Sequence, residues 1–123
     1  MSAAKIRRVS YVLAVHDLKR STAYWTNVLG WEFGFEDPGC WSFLYRDEVG
    51  VHLGECVDAM APANLGDHSY IAYIVMDDVD RYHAEISARG ADCRDPEDKP
   101  WGMREMAVRT IDGHRITFAQ EIE

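Results

Sequence analysis

Val9–Gly30 reads VSYVLAVHDLKRSTAYWTNVLG, and Tyr70–Gly90 reads YIAYIVMDDVDRYHAEISARG. Each stretch opens on a β-prone run, passes an Asp suited to a helix N-cap and closes on a Gly suited to the left-handed C-terminal position. In the first, Leu18, Trp25, Val28 and Leu29 fall on one helical face behind Asp17. In the second, Val79, Tyr82, His83 and Ile86 recur at i, i+3, i+4 and i+7 behind Asp78. The chain therefore writes one supersecondary unit twice, strand then helix of about three turns.

Three short β-type segments follow each helix. In the first half they are Trp31–Phe35, Cys40–Arg46 and Val49–Glu55, separated by Asp37-Pro38-Gly39 and Asp47-Glu48. In the second they are Ala91–Arg94, Met103–Thr110 and Arg115–Gln120, separated by a Pro96–Pro100 loop and the Asp112-Gly113 turn. Each half reads βαβββ. The expected fold class is α+β, with two βαβββ modules forming a curved mixed sheet over an open cleft. One domain, 1–123, is expected, with module one at about 1–57, a linker at about 58–67 and module two at about 68–123. A single helix covers only one face of each sheet, so the free face is the place to look for function.

The 123 residues suit one domain, and 47% hydrophobic with 28% charged residues is a globular composition. Thirteen Lys and Arg against twenty-one Asp and Glu give a net charge of −8, which repels phosphates and anionic head groups. Nucleic acid and membrane surfaces are not expected as partners, and no segment approaches the roughly 20 apolar residues of a membrane span. Cys40, Cys56 and Cys93 are odd in number, widely spaced and without a C-x-x-C pair, which points to a reducing, cytoplasmic location.

No nucleophile elbow, phosphate loop, dinucleotide fingerprint, HExxH or EF-hand pattern occurs. Five His are present. His16 at a strand–helix junction, His83 in the helix and His114 on the Asp112-Gly113 turn are expected in solvent or capping roles.

Four segments together resemble a known family. Ser21–Gly30 (STAYWTNVLG), Tyr45–Val49 (YRDEV), Val79–Glu85 (VDRYHAE) and above all Lys99–Glu105 (KPWGMRE), running on to Asp112-Gly113 and Phe118, are similar to the vicinal oxygen chelate superfamily of glyoxalases, bleomycin resistance proteins and dioxygenases. The resemblance spans about residues 8–121 and is strongest to the bleomycin-resistance branch. Thr110–His114 keeps the Gly of the family's usual Asp-Pro-x-Gly-Asn turn but lacks its Pro and Asn.

In metal-dependent relatives, four cleft-facing strand positions supply His or Glu. Matched residue by residue, those places here hold Ser10, His52, Ile71 and Thr117, of which only His52 is a good ligand. The resemblance thus implies no cofactor and a metal-free protein that sequesters an aromatic ligand, such as a cationic, antibiotic-like one. It further implies a homodimer with the cleft at its interface and an N-terminal arm, residues 1–8, reaching the partner. Trp101, in the matching Pro-Trp-Gly segment with Gly102, is the first candidate for stacking. Phe33, Phe35, Trp41, Phe43 and Tyr73 are further aromatic candidates, and His52 and Glu105 are candidate polar contacts. The enzymatic alternative is a divalent-metal-dependent lyase, isomerase or thiol transferase using His52.

Overall fold

Both expected N-caps form. In this computed structural model, which describes residues 3–66 and 70–122, the Asp17 carboxylate accepts a hydrogen bond from the Arg20 amide at 3.1 Å. Asp78 accepts one from the Arg81 amide at 3.0 Å. The caps start helices α1 (Leu18–Asn27) and α2 (Val79–Ser87), and Gly30 and Gly90 take the left-handed φ values of 76° and 86° beyond their ends.

The first unit runs β1 (Val9–Val15), α1, β2 (Glu32–Asp37), β3 (Trp41–Arg46) and β4 (Val49–Glu55). A short 3₁₀ turn, Pro62–Asn64, lies in the linker. The second unit runs β5 (Tyr70–Val75), α2, β6 (Asp92–Cys93), β7 (Glu97–Lys99), β8 (Met103–Arg109) and β9 (Arg115–Glu121). Each unit makes its own mixed sheet, in the orders β1-β4-β3-β2 and β5-β9-β8-β6, with β7 also paired to β8. The first strand of each unit pairs in parallel with the last, the helix providing the crossover.

Asp67, His68 and Ser69, where the expected linker meets module two, lie outside the described residues, as do Met1, Ser2 and Glu123.

Strand alternation assigns the faces. Leu13, Val15, Leu44, Val51 and Leu53 of the first sheet and Met106, Val108, Ile116 and Phe118 of the second are buried with Leu18, Trp25, Tyr82 and Ile86 of the helices in one cluster. The two units therefore meet through their helix-bearing sides. Where they meet, the Trp31 indole donates to the Tyr82 hydroxyl at 3.2 Å, and that hydroxyl donates to the Leu29 carbonyl at 2.8 Å. Arg46 reaches from β3 to Glu85 on α2 at 2.9 Å and lies over the Tyr82 ring at 4.7 Å. The opposite face of each sheet is left uncovered by its own helix.

Two expectations need correction. The Pro96–Pro100 segment contains a strand, β7, because Asp98 and Lys99 pair with Arg104 and Met103. His114 is not a solvent-facing turn residue; it is 4% exposed, since the turn folds against the first unit and its ring meets the Ala14 backbone. Ile71, at a register shift between Tyr70 and Ala72, is partly buried against the core and also lines the hollow that Tyr73 and Trp101 border.

A candidate ligand-binding cleft in two halves

Cross-strand pairing sets the free-face side chains in rows. On the first sheet one row reads Val12, His52, Phe43, Phe35 across β1, β4, β3 and β2. The next reads Ala14, Gly54, Trp41, Asp37. Ring contacts follow this lattice: Phe43 stacks with Phe35 at 5.9 Å and with Trp41 at 6.4 Å, and meets His52 edge-on at 4.7 Å. Gly54 is required for that arrangement, because a Cβ there would come within 2.7 Å of the Trp41 ring.

Five of the candidates are thereby resolved into four neighbours and one outlier. His52, Phe43, Trp41 and Phe35 form a continuous aromatic surface. Phe33 does not join it: the bulge between Phe33 and Phe35 pairs Phe33 with Leu44, on the opposite face.

On the second sheet the rows are Val75, Ala119, Glu105, Glu97; then Tyr73, Thr117, Ala107; then Tyr70, Arg115, Arg109, Asp92. Trp101, in the turn before β8, leans over the first of these. One oxygen of Glu105 accepts the Trp101 indole N–H at 2.7 Å and the Tyr73 hydroxyl at 2.7 Å. Desolvation and that bond push the Tyr73 phenol up to about 12, so it remains a donor at physiological pH. Gly102 holds φ at 82° in the same turn, a value that favours glycine.

Trp101, Tyr73, Glu105 and Gly102 thus form a second cluster. Among the described residues no hydrogen bond or ring contact joins it to the His52–Phe43 cluster. Tyr73, Trp101, Glu105 and Thr117 line a broad hollow of about 770 Å³ that reaches Tyr11 at the first unit. Beside it a trough of about 630 Å³ runs from Glu105 over Ala107 and Thr117 to Tyr70, Arg109 and Arg115. Both volumes lie in the range of small-molecule sites.

The donor set does not fit a divalent ion. The row holding His52 offers Val12 and Phe43 beside it, and Thr117 faces Tyr73 and Ala107 on the other sheet. Among the described residues no group of three or more His, Cys, Asp or Glu could hold a metal. A single imidazole lacks the three protein donors and the charge of a catalytic centre.

Residues 7–118 match the family model of the Glyoxalase/Bleomycin resistance protein/Dioxygenase superfamily. The chain is a member of this superfamily. Solved structures with the same fold include the bleomycin-binding protein of bleomycin-producing Streptomyces verticillus in complex with copper(II)-bleomycin, 23% identical, at a TM-score of 0.75 over 94% of this chain and 97% of that one. They also include TnmS3, an antibiotic binding protein from Streptomyces sp. CB03234, 21% identical, TM-score 0.76, covering 98% of each chain. A third is the bleomycin resistance determinant encoded on the transposon Tn5, 19% identical, TM-score 0.78, over 93% of this chain and 97% of that one. A search of curated proteins finds no match. At these identities the likeness fixes the superfamily fold. No helix among the described residues is long and apolar enough to cross a membrane.

The sequence reading missed Tyr70, Arg94, Arg109 and Arg115. Strand parity was the available signal, since 105, 107 and 109 alternate onto one face of β8, and 115 and 117 onto the same face of β9.

Proposed function

We propose that this superfamily member is a metal-free binding protein that sequesters an aromatic, antibiotic-like small molecule. The observation that carries the reading is the pair of exposed aromatic surfaces. Trp101 is 64% exposed and Phe35 63%, although burying such rings is among the strongest stabilising contributions a fold can use. A planar ligand supplies the missing apolar contact, each ring pair adding about 0.5–1.5 kcal/mol beyond the area it buries. Hydrogen-bond partners frame the rings: Glu105 retains acceptor capacity beside Trp101, and His52 flanks Phe43.

In this reading the whole chain acts as one unit, and two chains form a two-fold dimer. The helix-side packing of the two units leaves each aromatic surface without a cover of its own. A second copy related by a two-fold axis sets the first sheet of one chain against the second sheet of the other, giving two equivalent clefts.

Fluorescence titration tests the proposal. Bleomycin-class ligands at micromolar concentration should quench tryptophan emission of the metal-free protein, with one ligand per chain at saturation. Trp101→Ala should weaken binding about tenfold or more while leaving thermal stability nearly unchanged, as expected for an exposed side chain. Absence of quenching, with no heat of binding by calorimetry, would sink the proposal for this ligand class.

A further inference from the structure

The trough on the second sheet carries an electrostatic pattern that aromatic stacking does not explain. Arg109 and Arg115 are paired directly across β8 and β9 and point onto the same free face, a like-charge juxtaposition that costs the sheet stability. Arg94 lies beside them, its amide bonded to the Ala107 carbonyl at 3.0 Å, and all three line the trough. The row holds one carboxylate, Asp92, opposite Arg109.

Three further carboxylates, Asp95, Glu97 and Glu105, line the trough outside this row. Glu105 holds Trp101 and Tyr73, Glu97 pairs with Lys99 at 3.1 Å, and Asp95 lies 3.4 Å from His83. Arg115 is fixed by the Gly66 carbonyl at 3.2 Å and faces the Tyr70 ring. Among the described residues its buried Nε has no hydrogen-bond partner. Among the described residues no hydrogen bond or ion pair engages the guanidinium of Arg94 or Arg109. Positive charge is thus concentrated at one end of a trough whose lining as a whole balances four cations, Arg94, Lys99, Arg109 and Arg115, against four carboxylates, Asp92, Asp95, Glu97 and Glu105, in a chain of net charge −8.

Resting on the binding reading above, we propose that the ligand carries an oxyanion, a carboxylate or its equivalent, which Arg94, Arg109 and Arg115 receive while its aromatic portion lies on Trp101 and Tyr73. Guanidinium forks suit this role because they meet oxyanions through paired, charge-assisted hydrogen bonds. Spacing sets the ligand's length. Glu105 and Arg109 are four residues apart on β8, about 13 Å along the strand. Between them Ala107 and Thr117 leave a low floor. The site therefore selects an elongated ligand, with a ring at one end and a negative charge roughly a dozen ångströms away.

A matched pair of probes tests this: 11-(dansylamino)undecanoic acid and its methyl ester, followed by dansyl fluorescence at low salt. The acid should bind about tenfold more tightly than the ester, one probe per chain. Arg94→Gln combined with Arg109→Gln should bring the acid down to the ester's affinity, and Trp101→Ala should weaken both probes alike. Equal affinity of acid and ester would overturn the oxyanion proposal while leaving the aromatic reading intact. If neither probe binds, the aromatic reading fails and takes the oxyanion proposal with it. Both arginines are exposed, and among the described residues no hydrogen bond or ion pair holds their guanidinium groups, so the double variant should melt at or slightly above the wild-type temperature as the Arg109–Arg115 repulsion is relieved, which serves as the folding control.

Discussion

His114 shows how much one turn residue can decide. Its amide is held by the Thr110 hydroxyl at 3.0 Å, its ring lies at the seam with β1, and burial lowers its pKa from the ordinary 6.5. Above that ordinary value both the folded and unfolded chains carry a neutral ring. As pH falls through it, the unfolded chain takes up a proton that the native seam resists, so stability declines toward acid. Asp80 and Glu85 add to the decline only lower down, their carboxyls held below 3.8 and 4.5 by Arg104 and Arg46. Thermal melts between pH 7.5 and 5.5 should therefore show a falling midpoint in the wild type and a flatter profile in His114→Leu. An unchanged slope in the variant would place the effect elsewhere. The sequence shows His114 two residues after Asp112 in a turn, where solvent is the ordinary neighbour. Its burial depends on Asp112 accepting from Ser21 on α1 at 2.8 Å, a contact 91 residues apart that no local pattern encodes.

At the scale of elements, the repeat was legible because it is local: caps, helical spacing and terminal glycines all act within a few residues. The misreadings came from effects set by a neighbouring strand. A bulge set Phe33 on the face opposite Phe35, and the all-charged Glu97–Lys99 became a strand through its pairing with β8. Of the candidate site, the aromatic rows could be read from alternation, whereas the arginine end could not be weighed until β8 and β9 were in register. Gly30 joins local and non-local effects. Its φ of 76° disfavours any side chain, and a Cβ there would approach Glu85 Oε2 to 2.6 Å and the guanidinium groups of Arg89 and Arg46 to 2.8 and 2.9 Å. Gly90, at 86°, has open space around it. Gly90→Ala should cost about 1 kcal/mol, from backbone strain alone. Gly30→Ala should cost about 1–2 kcal/mol more, because the charge-assisted tie between the two units must also shift. Urea unfolding reads both as midpoint shifts at constant slope, and equal losses would mean that the network carries no weight.

For the molecule as a whole, the question is whether the two aromatic surfaces serve one ligand, and symmetry supplies a decisive experiment. Phe43 belongs to the first sheet and Trp101 to the second. If each cleft combines the first sheet of one chain with the second sheet of its partner, Phe43→Ala and Trp101→Ala each weaken both clefts of their own homodimer. In a mixed dimer the two substitutions fall together in one cleft and leave the other wholly wild type. Co-refolding the two variants in equal amounts forms about half mixed dimers, by random pairing of chains of equal affinity, and a mixed dimer retains one tight site of its two. Titration with a bleomycin-class ligand should then recover tight binding in about a quarter of all sites, although neither variant alone shows it. Clefts built within single chains give no recovery at any mixing ratio, because every chain then carries its own defect. The outcome also bears on the arginine trough, which lies on the same sheet as Trp101: recovered sites should prefer the acid probe over its ester, since an intact second sheet brings its oxyanion end with it.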